Sequence, residues 1–549
     1  MNKNNDLIKI GIMIDSFEIP IWANIMIDEI TKLDHAEISV LIVNNNYKNK
    51  LNGKFKKDQE RSILFDFYLS YEKKRFYQKN KLCQNIQCDK FKNIKEIEVI
   101  PIKKNTFNEI SKGDILKIKE FGLDIIIRLG FNRLSGNILS IPKYGIWSFF
   151  KNNNYHQEIK FNGFWEIFRD QPVNEVNLYL NGNNSSEDKI IAQAFTSTDQ
   201  LYITRNNVNK YWKNIELILN KIQEIYLSRN RDGILLDKQK KKEDFDHKYE
   251  KHIPNNKEII QFSIKHWINY LKIKRKFRHK TEQWGIMFDF NENSFASPKN
   301  CNKIIPPEDR YYADPFIIKK NDEYFVFIEE VFYNHQKGHI SYFKIDKNGK
   351  YELPKKILEN NYHMSYPFVF KFENEYYMIP ETSENRSVDL YKCKKFPEQW
   401  EFKKNIMKNV NASDSTLLRK DDKWWLFTSI TFMGSSSNDT LSIFYSDNLF
   451  ADKWNPLPTN PVISDIRKSR SAGKIFQINN EYYRPSQDGS KGYGRGVVFN
   501  KIITLNESEY SEKTVESIYP DFDKTVEGIH TFNKIENFRI FDFKKLKKQ

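Results

Sequence analysis

Ala313-Asp314-Pro315-Phe316, followed after a short strand by NDEYFVFIEE (321–330), is the stretch that decides the fold, because it recurs four more times. The later copies are Ser365-Tyr366-Pro367-Phe368 with ENEYYMIPET (373–382), Ser413-Asp414-Ser415-Thr416 with DDKWWLFTSI (421–430), Ser471-Ala472-Gly473-Lys474 with NNEYYRPSQD (479–488), and Ile529-His530-Thr531-Phe532 with IENFRIFDFK (535–544). Each copy is a strand start, a turn carrying Asn, Asp or Glu, and an aromatic second strand. Their second positions lie 52, 48, 58 and 58 residues apart. That period holds one four-stranded sheet, so five copies read as an all-β, five-bladed propeller over residues 284–549.

In a propeller the first strand of each blade lines the central channel, and equivalent positions meet at the axis. Asp314, Tyr366, Asp414, Ala472 and His530 are therefore expected to converge. Alternation along the second strands adds Glu329 or Glu330, Glu381, Thr428, and Gln487 with Asp488, and Arg470 stands just before the fourth motif. Carboxylates, an Arg, a His and aromatic rings suit a sugar: hydroxyls pair with carboxylates and amides, and rings stack on a pyranose face. The catalytic candidates are Asp314 as general base with Asp414 or Glu381 as partner. Tyr366, Arg470, Gln487, Asp488 and His530 are the substrate-binding candidates, with Arg470 facing a phosphate or carboxylate. The competing structural reading, polar residues capping backbone amides at strand starts, covers Ser413 and Ser415. The axial carboxylates could bind Ca²⁺ or Mg²⁺, but no metal-loop spacing is present, so no metal ligand is assigned.

The segments YADPF, SYPFVF with YMIPE, SDSTLL with WWLF, and RPSQDGSKGYG with GIHTF resemble the propeller region in the N-terminal part of plant glucosamine inositolphosphorylceramide transferases and of bacterial proteins from surface-glycan loci. The resemblance covers roughly residues 284–545 and implies a fold like that of arabinanase and xylosidase propellers. There a blade-one Asp is the general base, and Asp314 matches it. Tyr366 stands where a second-blade carboxylate would serve hydrolysis.

The first half of the chain has a different texture. Ile8–Ile14, Ile38–Val43 and Asp124–Arg128 read as buried parallel strands, and Trp22–Leu33 and Gly113–Phe121 as helices, which indicates a doubly wound α/β sheet. Residues 46–95 read as an irregular or partly helical insertion. DIIIRLGF (124–131), ILSIPKYGIWSFF (138–150) and NGFWEIFRDQPVNEVNLYL (162–180) resemble the N-terminal domain of folate-dependent formyltransferases. That family places Asn-x-His on a strand, with an Asp further on. Here Ser148 stands at the Asn position and Phe150 at the His position, with His156 as the nearest replacement and Asp188 as the distal Asp. Phe150 can neither donate to an oxyanion nor carry a proton, so this is a degenerate formyltransferase site, and formyl-tetrahydrofolate is implied only if formyl transfer is retained. The expected organisation is a formyltransferase-like α/β domain over 1–205, a helical, charged linker over 206–283, and the propeller over 284–549.

Composition narrows the setting. A net charge of +16 in a chain rich in Lys, Asn and Ile is as readily compositional as a mark of an anionic partner. The four cysteines form no C-x-x-C pair, no cationic leader precedes an apolar run, and no apolar stretch suffices for a membrane span. A cytoplasmic protein is expected. The expected partners are a sugar or nucleotide-sugar substrate and no nucleic acid. The basic helix 259–280 reads first as a solvated linker helix, with peripheral membrane contact as its alternative. Three functional readings follow in order: a carbohydrate-active transferase on a nucleotide sugar or surface-glycan precursor, a non-catalytic glycan-binding scaffold, and a true sugar N-formyltransferase. Glycosidase action ranks last.

Overall fold

A computed structural model of the protein describes residues 7–48, 62–76, 81–104, 107–150, 163–228 and 252–548. The chain divides into two compact units, one of Met1–Ala194 with Thr198–Leu271, the other of Lys272–Gln549 with Phe195–Ser197.

In the first unit β1 (Ile8–Ile14), β2 (Ala36–Asn44), β3 (Glu96–Val99), β4 (Ile125–Arg128), β5 (Ile146–Ser148), β6 (Val173–Leu180) and β7 (Lys189–Ser197) form one sheet in the order β7-β6-β5-β4-β1-β2-β3. The strands from β3 to β5 run parallel, and β6 is antiparallel to β5. Short runs of Ile, Val and Met, buried on both faces, are the sequence form of such strands. The strand order reverses beside β1, where Gly130 N donates to Met13 O at 3.0 Å. A Cβ at Gly130 would lie 2.5 Å from Asp15 N, so only glycine admits this crossing.

The helix Ile203–Ser228 belongs to this unit and is not a linker. Its residues Ile215, Ile218 and Ile222 are fully buried, and Tyr211 stacks on Trp22 at 5.3 Å. Its first turn is capped from a distance: Glu72 accepts from Thr204 N at 2.9 Å and Thr204 Oγ1 at 2.6 Å, which satisfies amides a helix start leaves unpaired. The expected linker 206–283 is thus corrected, since the described residues 203–228 and 252–271 group with the first unit and those from Lys272 with the second. The charged run 238–242 lies outside the described residues.

The second unit is a ring of five four-stranded antiparallel sheets. The blades open with Arg310–Lys320, Ser365–Phe372, Ala412–Lys420, Phe476–Ile478 and Phe532–Ile535. The fifth blade joins the chain's end to the unit's start: Phe538–Lys548 pairs along eleven residues with Lys280–Phe290, beside which Asn302–Ile304 lies. Arg539 ties this seam, donating to Asp289 Oδ1 at 2.8 Å and Ala296 O at 2.7 Å.

The repeated turns have a physical reason. Asn321-Asp322, Glu373-Asn374, Asp421-Asp422 and Asn479-Asn480 all have positive φ at both positions. That is the two-residue hairpin geometry whose twist matches the strands, and Asn and Asp tolerate it best. The first motif residues are equally constrained. Ala313 pairs with Glu329 and Phe316 with Phe327, so Asp314 and Pro315 together face Ile328 alone, and blades two and three repeat this bulge. Asp314, Tyr366 and Asp414 sit there at φ 51, 45 and 50. For Tyr this conformation is an outlier, the sort of strain that gathers at functional sites.

Candidate functional site

A bulge frees a backbone N–H, and here each freed amide finds a carboxylate of the preceding blade. Asp314 N donates to Asp542 Oδ2 at 3.2 Å, Tyr366 N to Asp314 Oδ2 at 3.2 Å, and Asp414 N to Glu381 Oε2 at 3.1 Å. The acids at the axis are therefore staples between blades as well as chemical groups, and it is these acids that cap the amides, while Ser415 Oγ bonds Thr428.

Two clusters result. In the first, Asp314 Oδ1 accepts from Thr531 Oγ1 at 2.7 Å and lies 3.3 Å from His530 Nε2. His530 Nδ1 stands 2.7 Å from Asp542 Oδ2, close but with its N–H off the line to the oxygen, so this is an ion contact rather than a straight hydrogen bond. Burial, opposed by His530, pushes the Asp314 carboxyl up to about 7. Burial lowers His530, but Asp542 and Asp314 outweigh it and hold the imidazole at about 9. The result is a carboxylate–imidazolium–carboxylate line whose outer member, Asp314, can take up a proton near neutral pH.

In the second cluster, Arg470 grips Asp414, Nε to Oδ2 at 2.5 Å and Nη2 to Oδ1 at 3.2 Å, and reaches Glu381 at 3.5 Å and Asn438 Oδ1 at 2.6 Å. Gln487 Nε2 adds a bond to Asp414 Oδ2 at 2.9 Å. Burial raises the Asp414 carboxyl to about 7 against the pull of Arg470. With two carboxylates on its guanidinium, Arg470 is matched in charge. Its role is to hold the acids, in place of the free phosphate receptor its sequence position suggests.

Tyr366, wholly buried, spans between the clusters: its hydroxyl accepts from Gly473 N at 2.7 Å and pairs with Thr416 Oγ1 at 2.9 Å. Gly473, rather than Ala472, holds the positive φ in blade four, and Ala472 offers only a buried methyl. Asp488 is not part of the constellation; it accepts from Tyr519 OH at 3.0 Å and Ser490 N at 2.8 Å. Of the two acids in blade one, Glu329 pairs with His363 at 3.1 Å and Tyr311 OH at 3.1 Å, whereas Glu330 turns to Arg310 and Ser341. Thr428 bonds Ser415 Oγ at 3.0 Å, a blade-internal contact.

Sequence reasoning missed Asp542, Thr531, His363, Asn438 and Tyr493. Asp542 carries a signal, a lone acid between Phe541 and Phe543 in an aromatic strand. Tyr493 is carried by the glycine-rich loop 489–496. Gly494, at φ 70, runs so close to Trp284 that a Cβ would lie 2.4 Å from the indole. Tyr493 is 46% exposed, its ring 5.0 Å from that of His530 and 5.5 Å from the Arg470 guanidinium. Asn438, Arg470, Gln487 and Tyr493 line a cavity of about 90 Å³ there. The buried acids thus have an aromatic, polar mouth, the combination that sugars use. Asp314, His530 and Asp542 place ligand atoms within 4.8 Å of one another, so they have the donor set of a small cation site.

In the first unit Ser148, Phe150 and Asp188, the positions compared in sequence with a formyltransferase site, make structural contacts. Ser148 accepts from Arg128 Nη2 at 2.7 Å, and Phe150 is buried with its carbonyl on the same guanidinium at 2.7 Å. Asp188 forms a buried pair with Arg133, 2.6 and 2.7 Å. His156 lies outside the described residues.

A family model described as the N-terminal region of glucosamine inositolphosphorylceramide transferase 1 matches residues 293–549. Three relatives carry the name glucosamine inositolphosphorylceramide transferase 1, two of them from Oryza sativa. The one from Oryza sativa subsp. japonica is 35% identical over 237 residues, 41% of this chain and 32% of the relative. The one from Arabidopsis thaliana is 31% identical over 240 residues, 43% of this chain and 31% of the relative. The chain spans about a third of the length of these curated relatives. Among solved structures, a family 117 glycoside hydrolase from Zobellia galactanivorans aligns with TM-score 0.32 at 8% identity, over 48% of this chain and 90% of that one. An α-L-arabinofuranosidase from Coprinopsis cinerea aligns with TM-score 0.32 at 12% identity, over 43% and 90%.

Proposed function

We propose that the protein is a carbohydrate-active transferase that builds a glycan, with its acceptor sugar held at the propeller axis. The observation that carries this is Asp314: buried, tuned to about 7, and backed by His530 and Asp542. A hydroxyl of the acceptor, placed at the mouth under Tyr493, gives its proton to Asp314 as it attacks the anomeric carbon of an activated sugar, and the leaving group departs with its bonding pair. Asp414 and Glu381, held by Arg470 and Gln487, hydrogen-bond the neighbouring hydroxyls. The relatives' name, glucosamine inositolphosphorylceramide transferase 1, supports a sugar substrate and puts an amino sugar first among candidates. The acids at this axis outnumber Arg470 and the histidines, which favours an ammonium or hydroxyl group over an anionic one.

The first unit, with Ser148, Phe150 and Asp188 occupied structurally, is read as a binding sheet for a nucleotide or sugar, with its ligand outside the carboxyl ends of β1 and β4, and without formyl transfer by the familiar mechanism. Calorimetric titration with nucleotide sugars and amino-sugar acceptors, followed by mass spectrometry of the mixture, tests the proposal. Heat together with a new glycoside supports it. Heat with no product leaves a glycan-binding protein instead.

A further inference from the structure

We infer that the helix Asn256–Lys276 docks the protein on an anionic lipid surface. One face of this helix is anchored in the first unit. Ile259 and Phe262 are buried, the Phe262 ring lies 4.8 Å from Phe164 and 5.3 Å from Tyr68, and Lys265 Nζ donates to Phe168 O at 2.7 Å. The opposite face is apolar and, among the described residues, exposed. Ile260, Ile264, Trp267 and Ile268, at helical spacing, are 41 to 62% exposed, and the neighbouring helix Ile63–Phe76 leaves Ile63 and Phe67 each 75% exposed. Large side chains gathered in this way on a surface mark an interaction face.

The charge beside that face commits its occupant. Residues 256–280 contain eight Lys and Arg and a single acid, Glu258. Lys272, Lys274, Arg275 and Arg278 form no ion pair among the described residues, whereas Lys265 and Lys276 are tied to Asp170 and Glu527. A buried protein partner would have to neutralise that run in a confined interface. A sheet of anionic headgroups meets it without loss of hydration, while Ile264 and Trp267 enter the acyl boundary and Tyr270 and Phe277 sit at headgroup depth. No described helix is long and apolar enough to cross a membrane, so the contact lies in the surface plane.

The test is flotation of the full chain with vesicles of phosphatidylcholine, alone or with added phosphatidylglycerol. The wild type should float with the anionic vesicles alone, and high salt should release it. Lys272→Glu/Lys274→Glu/Arg275→Glu should lower partitioning by roughly a hundredfold or more, at about fivefold per cation. Ile264→Glu/Trp267→Glu should abolish flotation. Both variants alter exposed side chains and should melt as wild type does; should the second fail to fold, the first still decides. A wild type that stays unbound, variants that float unchanged, or a face that instead mediates self-association or nucleic-acid retention would overturn the inference. Catalysis at the propeller axis is not needed for any of these readouts.

Discussion

Asp314 holds two roles in one side chain. It caps the strained Tyr366 amide of the next blade and it is the group best placed to accept a proton. Its carboxyl and that of Asp414 are raised by burial to about 7, and His530 is held at about 9. All three shifts are upward, so the folded form keeps each proton longer than the unfolded chain does. The stabilisation is complete below the ordinary values and is lost as pH rises through the raised ones. Melting temperature should therefore fall steadily from pH 5 to pH 9, first as the two Asp ionise, then as His530 deprotonates. Scanning calorimetry across that range checks it; a flat or rising profile would refute the assigned protonation. Activity runs the other way at its lower limb, since Asp314 must be ionised to act as base. The axial acids were visible in sequence as repeat positions. Their partners were not: Asp542 sits outside the four-residue motif, and only the bulge brings it to Asp314.

At the scale of elements, the hairpin and the bulge carry the fold. The turns were legible because positive φ at two adjacent residues selects Asn and Asp, and the second strands because aromatic residues repeat there. The bulge was not legible, since Asp-Pro, Tyr-Pro and Asp-Ser share no single residue type. Asp488, in blade four, is bonded to Tyr519 instead of facing the acids. Tyr366 shows what a bulge residue can do beyond chemistry, because its hydroxyl satisfies the buried Gly473 amide. Tyr366→Phe leaves that amide unpaired and should cost about 1–3 kcal/mol in urea unfolding. A cost near zero would mean the hydroxyl adds nothing to the closure of blades two and four.

At the scale of the molecule, the ring closes through residues that the family match leaves out. The match begins at residue 293, yet Lys280–Phe290 forms a full strand of blade five. A fragment starting at 293 should lack a cooperative transition, while one starting at 278 should unfold in a single step, as circular dichroism on the two will show. Equal stability would mean that the seam of Lys280–Phe290 with Phe538–Lys548 is dispensable. Blade number could be read from five repeats, and parallel strands in the first unit from its apolar runs. The seam could not, because Lys280–Phe290 carries no copy of the motif. The helix Ile203–Ser228 reads as linker in sequence because its buried face mixes Ile with Lys210, Lys213 and Asn214, and the partner of Lys210, Glu166, lies on another element.

The account turns on Asp314 as the base of a sugar-transfer site. Its most direct test is the rate of glycoside formation by Asp314→Asn beside wild type, with nucleotide sugars and amino-sugar acceptors at pH 8. The account predicts a loss of at least about a hundredfold, the usual size of a general-base contribution, with acceptor binding and overall fold retained. Glycoside formation by Asp314→Asn at the wild-type rate would contradict it.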